Sequence, residues 1–208
     1  AISDSSGNGY NLNLASGAAV TMTAAQHNNA SAISGSGSES ITLTTAASVT
    51  GEAAIESYVL ADGNQTFTVG ATGQDVTTGS GDVTVATGAI ANLNGSTIIG
   101  TAGGTVILRV DADADISGAT LTDVDEIHLN ADGVDLTATI AQNALITTAT
   151  GSNSVTLSDA GSTTGAAQVE TYNLSSNGPN TFTLGYAGQN VNGGSAADTI
   201  DVNGLTVT

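Results

Sequence analysis

The sequence predicts an all-β protein, an elongated β-solenoid assembled from two repeats of about 114 residues, and three observations lead there. The chain repeats itself: Gly37-Ser38-Glu39-Ser40-Ile41-Thr42-Leu43 returns 114 residues on as Gly151-Ser152-Asn153-Ser154-Val155-Thr156-Leu157. Thr66-Phe67-Thr68-Val69-Gly70 returns after 115 as Thr181-Phe182-Thr183-Leu184-Gly185. Self-similarity at a fixed period marks architectures in which each unit buries its apolar face against the next. Apolar and polar residues also alternate with period two, as strands with one buried face require. Finally, hydrophobic residues make up 39% of the chain but aromatics only 3%, with no Trp. A core of Val, Ile, Leu and Ala suits thin stacked β-layers better than a wide interior. Tandem β-sandwiches, one per repeat, are the alternative that the same alternation allows.

Taken in order, Val20 to Ala32 is Ala-rich and matches Val134 to Ile146, so any short helix should occur twice. Ser40-Ile41-Thr42-Leu43-Thr44 alternates as a strand. Gly51-x-x-x-Ile55-Glu56-x-Tyr58-x-Leu60 is a rung motif that returns as Gly165-x-x-x-Val169-Glu170-x-Tyr172-x-Leu174. A longer-looped version is expected from Gly118 through Val124, Ile127 and Leu129. Thr66–Val69, Asp82–Val85, Ser154–Leu157 and Thr199–Val202 alternate as further strands, separated by glycines placed where corners need unusual backbone angles. The repeat phase divides the chain into an incomplete first copy, 1–94, and a complete second, 95–208, because residues 95–114 have no counterpart. Ala1-Ile2-Ser3-Asp4 carries no signal-peptide pattern, so the expectation is a mature chain or one cut from a longer array. Ile2, Leu12 and Leu14 at one end, and Leu205-Thr206-Val207-Thr208 at the other, should present aliphatic strand edges.

Charge narrows function. Arg109 is the one Lys or Arg against 19 Asp and Glu, a net charge of −18. Nucleic-acid binding needs clusters of basic residues and is excluded, as is attraction to anionic lipid. No apolar run approaches the length of a membrane helix. Self-repulsion of this size strains a compact fold, and bound calcium would relieve it. Asp111, Asp113 and Asp115 alternate with Val110, Ala112, Ala114 and Ile116, so a continuous strand would hold them on one outer face about 7 Å apart. Asp123, Asp125 and Glu126 could then complete an oxygen cage. Asp82 and Asp198 follow the Gly-rich turns at Gly79 and Gly193, where Gly193-Gly194-Ser195-Ala196-Ala197-Asp198-Thr199-Ile200 approximates a calcium-binding nonapeptide but for Ala196.

Enzyme constellations are lacking in the sequence. There is no Cys, and His27 and His128 are about 100 residues apart, so the parts for acyl or phosphoryl transfer are missing. The expectation is a protein without catalytic activity.

The aliphatic-Glu-x-Tyr-x-Leu rung, the Thr-Phe-Thr-aliphatic-Gly strand, Gly-Gln-x-Val (Gly73 to Val76, Gly188 to Val191) and the Gly193 turn resemble the β-strand repeats of bacterial RTX-type surface proteins. These include surface-layer proteins and giant adhesins. The resemblance implies export to the extracellular cell surface, calcium stabilisation and self-association, head to tail or laterally. The function expected is therefore a structural, self-assembling surface protein: a surface layer, an extracellular filament or an adhesin stalk. A ligand-binding solenoid, for ice or polysaccharide, is the alternative, because Thr-x-Thr pairs recur at Thr21/Thr23, Thr42/Thr44 and Thr66/Thr68. Their spacing along the chain is uneven.

Overall fold

The computed structural model describes residues 9–205, which form 22 strands and two short helices. Along the chain run β1 (Tyr10–Asn13), β2 (Ala19–Met22), α1 (Ala24–Asn29), β3 (Ala30–Ser34), β4 (Ser40–Leu43), β5 (Val49–Thr50), β6 (Ser57–Val59), β7 (Gln65–Thr68), β8 (Asp75–Thr77) and β9 (Val83–Ala86). Then come β10 (Thr97–Ile99), β11 (Val106–Val110), β12 (Ala114–Asp115), β13 (Thr120–Thr122), β14 (Glu126–Leu129), β15 (Asp135–Ala138), α2 (Ile140–Asn143) and β16 (Ile146–Ala149). The last are β17 (Ser154–Leu157), β18 (Ser162–Thr164), β19 (Thr171–Asn173), β20 (Thr181–Thr183), β21 (Asn190–Asn192) and β22 (Thr199–Asp201). Ile2 and Thr206 to Thr208, expected at the edges, lie outside the described residues.

Every strand pairing among the described residues is parallel. A sandwich needs antiparallel hairpins, so that alternative is set aside. The chain instead coils into a β-solenoid of about 10 turns. Hydrogen-bonded neighbours are 17 to 23 residues apart, one turn of the coil. On one wall, β2, β4, β6, β8, β10 and β13 stack into a sheet; opposite, β5, β7, β9, β11, β14 and β16 form another. A third sheet, β12-β15-β17-β19-β21, begins beside them, since β12 precedes β13 and β15 lies between β14 and β16, and β18-β20-β22 forms a further sheet after β16. The break between β16 and β18 falls after α2, as that between β3 and β5 falls after α1.

Each wall buries one file of side chains. Val20, Ile41, Tyr58, Val76, Ile98 and Leu121 stack in register on the first sheet; Val49, Phe67, Val85, Leu108, Ile127 and Ile146 stack on the second. Between the walls Tyr58 meets Phe67 and Tyr172 meets Phe182, each pair with centroids 4.8 Å apart. The duplication is thus visible in three dimensions, and glycine is required for it. A Cβ on Gly51 would come within 2.8 Å of the Phe67 ring, and one on Gly165 within 2.7 Å of Phe182.

Some corner groups fall outside the turn-to-turn ladder, and buried amides serve them. The Gln74 amide donates to the Glu52 and Ile55 carbonyls and accepts from Gly70 N–H; Gln189 does the same for Ala166, Val169 and Gly185. Gln142 is a third instance, donating to Ile116 and Ala119. It also closes the capping box that starts α2 at Thr139, as Gln26 does for α1 at Thr23. The short helix expected twice is found twice.

The third rung motif departs from expectation. Ile127 and Leu129 are buried, but β14 stands in the sheet of Phe67, not in that of Tyr58. The longer loop after Gly118 moves the motif to the opposite wall. Residues 97–110, unmatched in the sequence, form β10 and β11, which cover β8 and β9 and lead into the second copy.

Candidate functional site

The acidic residues hold the coil together at its corners. Asp75 accepts the Thr97 N–H at 2.7 Å, Asp82 that of Thr105 at 3.0 Å, Asp113 that of Asp135 at 2.9 Å and Asp125 that of Val106 at 2.7 Å, each across one turn. Glu56 and Glu170 receive the N–H groups of Glu39 and Asn153 at equivalent places in the two copies. Asp198 accepts from the Asn180 side chain and backbone and from Gly194 N–H. Those donors hold its carboxyl below the usual range, the Asn180 amide first. At Asp115, burial opposes ionisation, but the Ser117 hydroxyl and N–H and the Asn94 amide outweigh it and lower the pKa. Glu126 is lowered by His128, 2.6 Å away, and by the Thr147 hydroxyl at 2.7 Å.

The expected calcium cage is not formed. The strand carrying Arg109 ends at Val110, and Asp111 and Asp113 lie at a corner before β12 begins at Ala114. The three aspartates therefore do not share one strand face. Asp111 pairs with Arg109 at 2.7 Å and accepts from Asn130 at 3.1 Å. Asp123 adopts a left-handed backbone (φ 51°) in the turn before Asp125. Among the described residues no three of His, Cys, Asp and Glu come together as a metal site. As arranged, Asp111, Asp113, Asp115, Asp123, Asp125 and Glu126 are not gathered into one cluster, and neither Asp82 nor Asp198 belongs to one.

Three features stand apart from this corner chemistry. One is a cleft of about 380 Å³ beside α1, lined by His27, Asn28, Ser48, Thr50, Glu52 and Thr68 among others. His27, 3% exposed, reaches Tyr58 Oη with Nε2 at 3.1 Å, and Glu52 N–H donates to the same oxygen at 2.9 Å. Burial lowers the pKa of His27 against smaller opposing effects from Asn28 and Glu52, and burial raises that of Tyr58. The second copy answers with Asn143, whose Oδ1 accepts from Tyr172 at 2.8 Å, and with Ala166 in place of Glu52.

Another is the outer face of the first sheet. Thr21, Thr42, Val59, Thr77, Ile99 and Thr122 form one file along the coil, and Ala19, Ser40, Ser57 and Asp75 another beside it. Turn lengths differ, so the Thr residues are unevenly spaced in sequence yet aligned in space. Val59 and Ile99, each 38% exposed, lie on this file. Asp75 is the one charged residue among these strands.

The last is the C-terminal edge. Ile200 is 42% exposed and Val202 36%, whereas their counterparts in the first copy, Val85 and Thr87, are fully buried beneath β11. The sequence placed an aliphatic edge further on, at Leu205 to Thr208, and showed the Thr pairs, but neither Ile200 and Val202 nor the alignment of the file was read from it. The signal for the edge was present: the unmatched residues 95–114 are what covers its counterpart.

Compared with known protein families, with curated proteins and with solved structures, the chain matches none.

Proposed function

We propose that the protein is a structural, self-assembling component of a cell surface, such as a surface layer, an extracellular filament or an adhesin stalk. The observation that carries this is the coil itself, about 10 turns stacked in parallel with buried files in register, a body that extends by adding further turns. An edge strand with aliphatic side chains and unsatisfied backbone groups is a template for pairing. The regular coil supplies length and stiffness, while the carboxylates are spent on its corners. Calcium is not part of this reading. Electron microscopy and light scattering over a wide concentration range, with and without chelator, test it: ordered filaments or sheets are expected in both conditions, and a monodisperse monomer throughout would overturn it.

A second reading, a ligand-binding module, is favoured by the file of Thr21, Thr42, Thr77 and Thr122 with Val59 and Ile99. Its flat array of methyl and hydroxyl groups, repeating every ~4.8 Å, suits a periodic surface such as ice or a polysaccharide. Thermal hysteresis, or retention on polysaccharide, that is abolished by Thr77→Lys would support it.

A further inference from the structure

We infer that the cleft beside α1 binds a small molecule through a protonated primary amine, held by the Glu52 carboxylate and the edge carbonyl of Thr50.

The cleft lies where the coil interrupts its own ladder. β5 pairs with β7 on one side only, and α1 packs against the other. Gly51 N–H donates to the Thr68 carbonyl at 2.8 Å, so Thr50, one residue earlier, turns its own N–H and C=O away from β7 and toward α1. Neither group has a partner among the described residues. Glu52 bonds only through its backbone: its N–H donates to Tyr58 Oη, and its carbonyl accepts from the Gln74 amide and from Ile55 N–H. The carboxylate, which lines the cleft, has no hydrogen-bond partner among the described residues.

The second copy shows the same place filled. Thr163 and Thr164 occupy the positions of Val49 and Thr50, since they pair with Phe182 and Thr183 as those do with Phe67 and Thr68. There Asn143, the counterpart of His27, donates its amide to the Thr164 carbonyl at 3.0 Å and to the Thr163 hydroxyl at 3.1 Å. Ala166 stands where Glu52 does, so the filled place carries no charge. In the first copy His27 sets Nε2 against Tyr58, Val49 has no hydroxyl, and the Thr50 carbonyl is left for a donor from outside. The carboxylate beside it calls for a donor that is also a cation.

A primary ammonium meets both needs, with one charge and three N–H donors. The net charge of −18 draws cations to the molecule and repels acids. No side chain of another copy can serve, because the chain has no Lys and its one Arg is paired with Asp111. The volume of about 380 Å³ falls at the small end of the ~300–1,000 Å³ typical of small-molecule sites, which suits an amine on a small carrier.

Ethanolamine and glucosamine, a bare amine and an amino sugar, are the probes. Each is titrated at fixed pH and ionic strength while nuclear magnetic resonance follows the Thr50 and Glu52 amides and both histidine rings. His27 lines the cleft and His128 stands on β14 beside Glu126, so one ring reports the site and the other is the reference. Saturable shifts of the two amides and of His27, with His128 unmoved, are expected. Binding of glucosamine about tenfold tighter or more identifies an amino sugar, and any smaller difference a simple amine. N-Acetylglucosamine, which keeps the ring and loses the charge, should leave the signals in place, as should tetramethylammonium, which keeps the charge and loses the donors, and calcium. Glu52→Ala imports the residue of the second copy and breaks no hydrogen bond of the fold; it should weaken binding at least about tenfold. His27→Asn, read from the two amides, should do the same by bringing an amide to the Thr50 carbonyl. The inference is overturned by the absence of any saturable shift, by shifts of His128 that match those of His27, by an equal response to any of the three controls, or by undiminished binding in either variant.

Discussion

The two copies solve one packing problem with different residues. In each, a buried tyrosine lies against a buried phenylalanine, a glutamine closes the next corner, and the first residue of the following strand sequence is held by a glutamate one turn above. The tyrosine hydroxyl, however, meets His27 in the first copy and Asn143 in the second. The corner residue is Glu39 in the first copy, accepting from Ser36 and Gly37, and Asn153 in the second, accepting from Val134 and donating to Thr150. What the fold demands at these places is a hydrogen-bonding group of the right reach, since a buried polar atom left alone is costly. Which group supplies it is free to vary, and the choice decides whether that copy senses pH.

The largest test removes what the copies share. Phe67→Ala and Phe182→Ala should each destabilise by about 3–5 kcal/mol through the cavity they leave, read as a shift in the urea midpoint. Phe182→Ala should cost less, because among the described strands only β22 lies beyond it in its sheet, whereas β9, β11, β14 and β16 lie beyond Phe67. Equal losses would show that the end is as rigid as the middle.

Gln74→Ala and Gln189→Ala come next. Each strips partners from two carbonyls and one N–H at a buried corner, for a loss of about 1–3 kcal/mol. Near-equal losses would confirm that the corners are interchangeable.

A smaller effect separates the copies in acid. Burial opposes ionisation of Glu39, but the N–H groups of Ser36 and Gly37 overcome it, so its pKa is lowered below 4.5 in the fold. Its contribution is present above about pH 4.5 and is lost as pH falls through the folded value. Glu39→Asn, which imports the residue of the second copy, should flatten that acid limb.

The smallest effect is the histidine. Because its folded pKa lies below 6.5, the unfolded chain takes up a proton first, and stability present above about pH 6.5 declines as pH falls below it. His27→Asn should remove this slope in thermal unfolding between about pH 7 and 5. Asn143→His should introduce a steeper one, since Ala166 offers no carboxylate where Glu52 stands. A flat profile in both would sink the comparison.

Much of the coil was legible because its signals are local. Period-two alternation gives strands, glycine gives corners, and duplication gives the order of both copies. Turn length was not legible, and it decides which wall a strand joins. The loop after Gly118 carries Ile127 to the Phe67 wall, and uneven turns hide the alignment of Thr21 with Thr77. The aspartate pattern at 111–115 was misleading for a related reason: alternation continues across a corner that follows Val110, so residues with one period do not share one face. Calcium was inferred from charge, from the aspartate spacing and from the Gly193 turn, whereas the structure employs these carboxylates one by one as acceptors for N–H and hydroxyl groups and, at Asp111, for Arg109.

The separation of 17 to 23 residues between neighbouring strands also fixes how such a body answers tension. The bonds between turns run along the coil, so a pull on its two ends loads them in series, and the outermost turn parts first. Each release frees roughly 60–80 Å of extended chain and leaves the remaining turns as they were. Under load the molecule would lengthen in about 10 steps and absorb work at each one, and on slackening every turn would find the next already in place as its template.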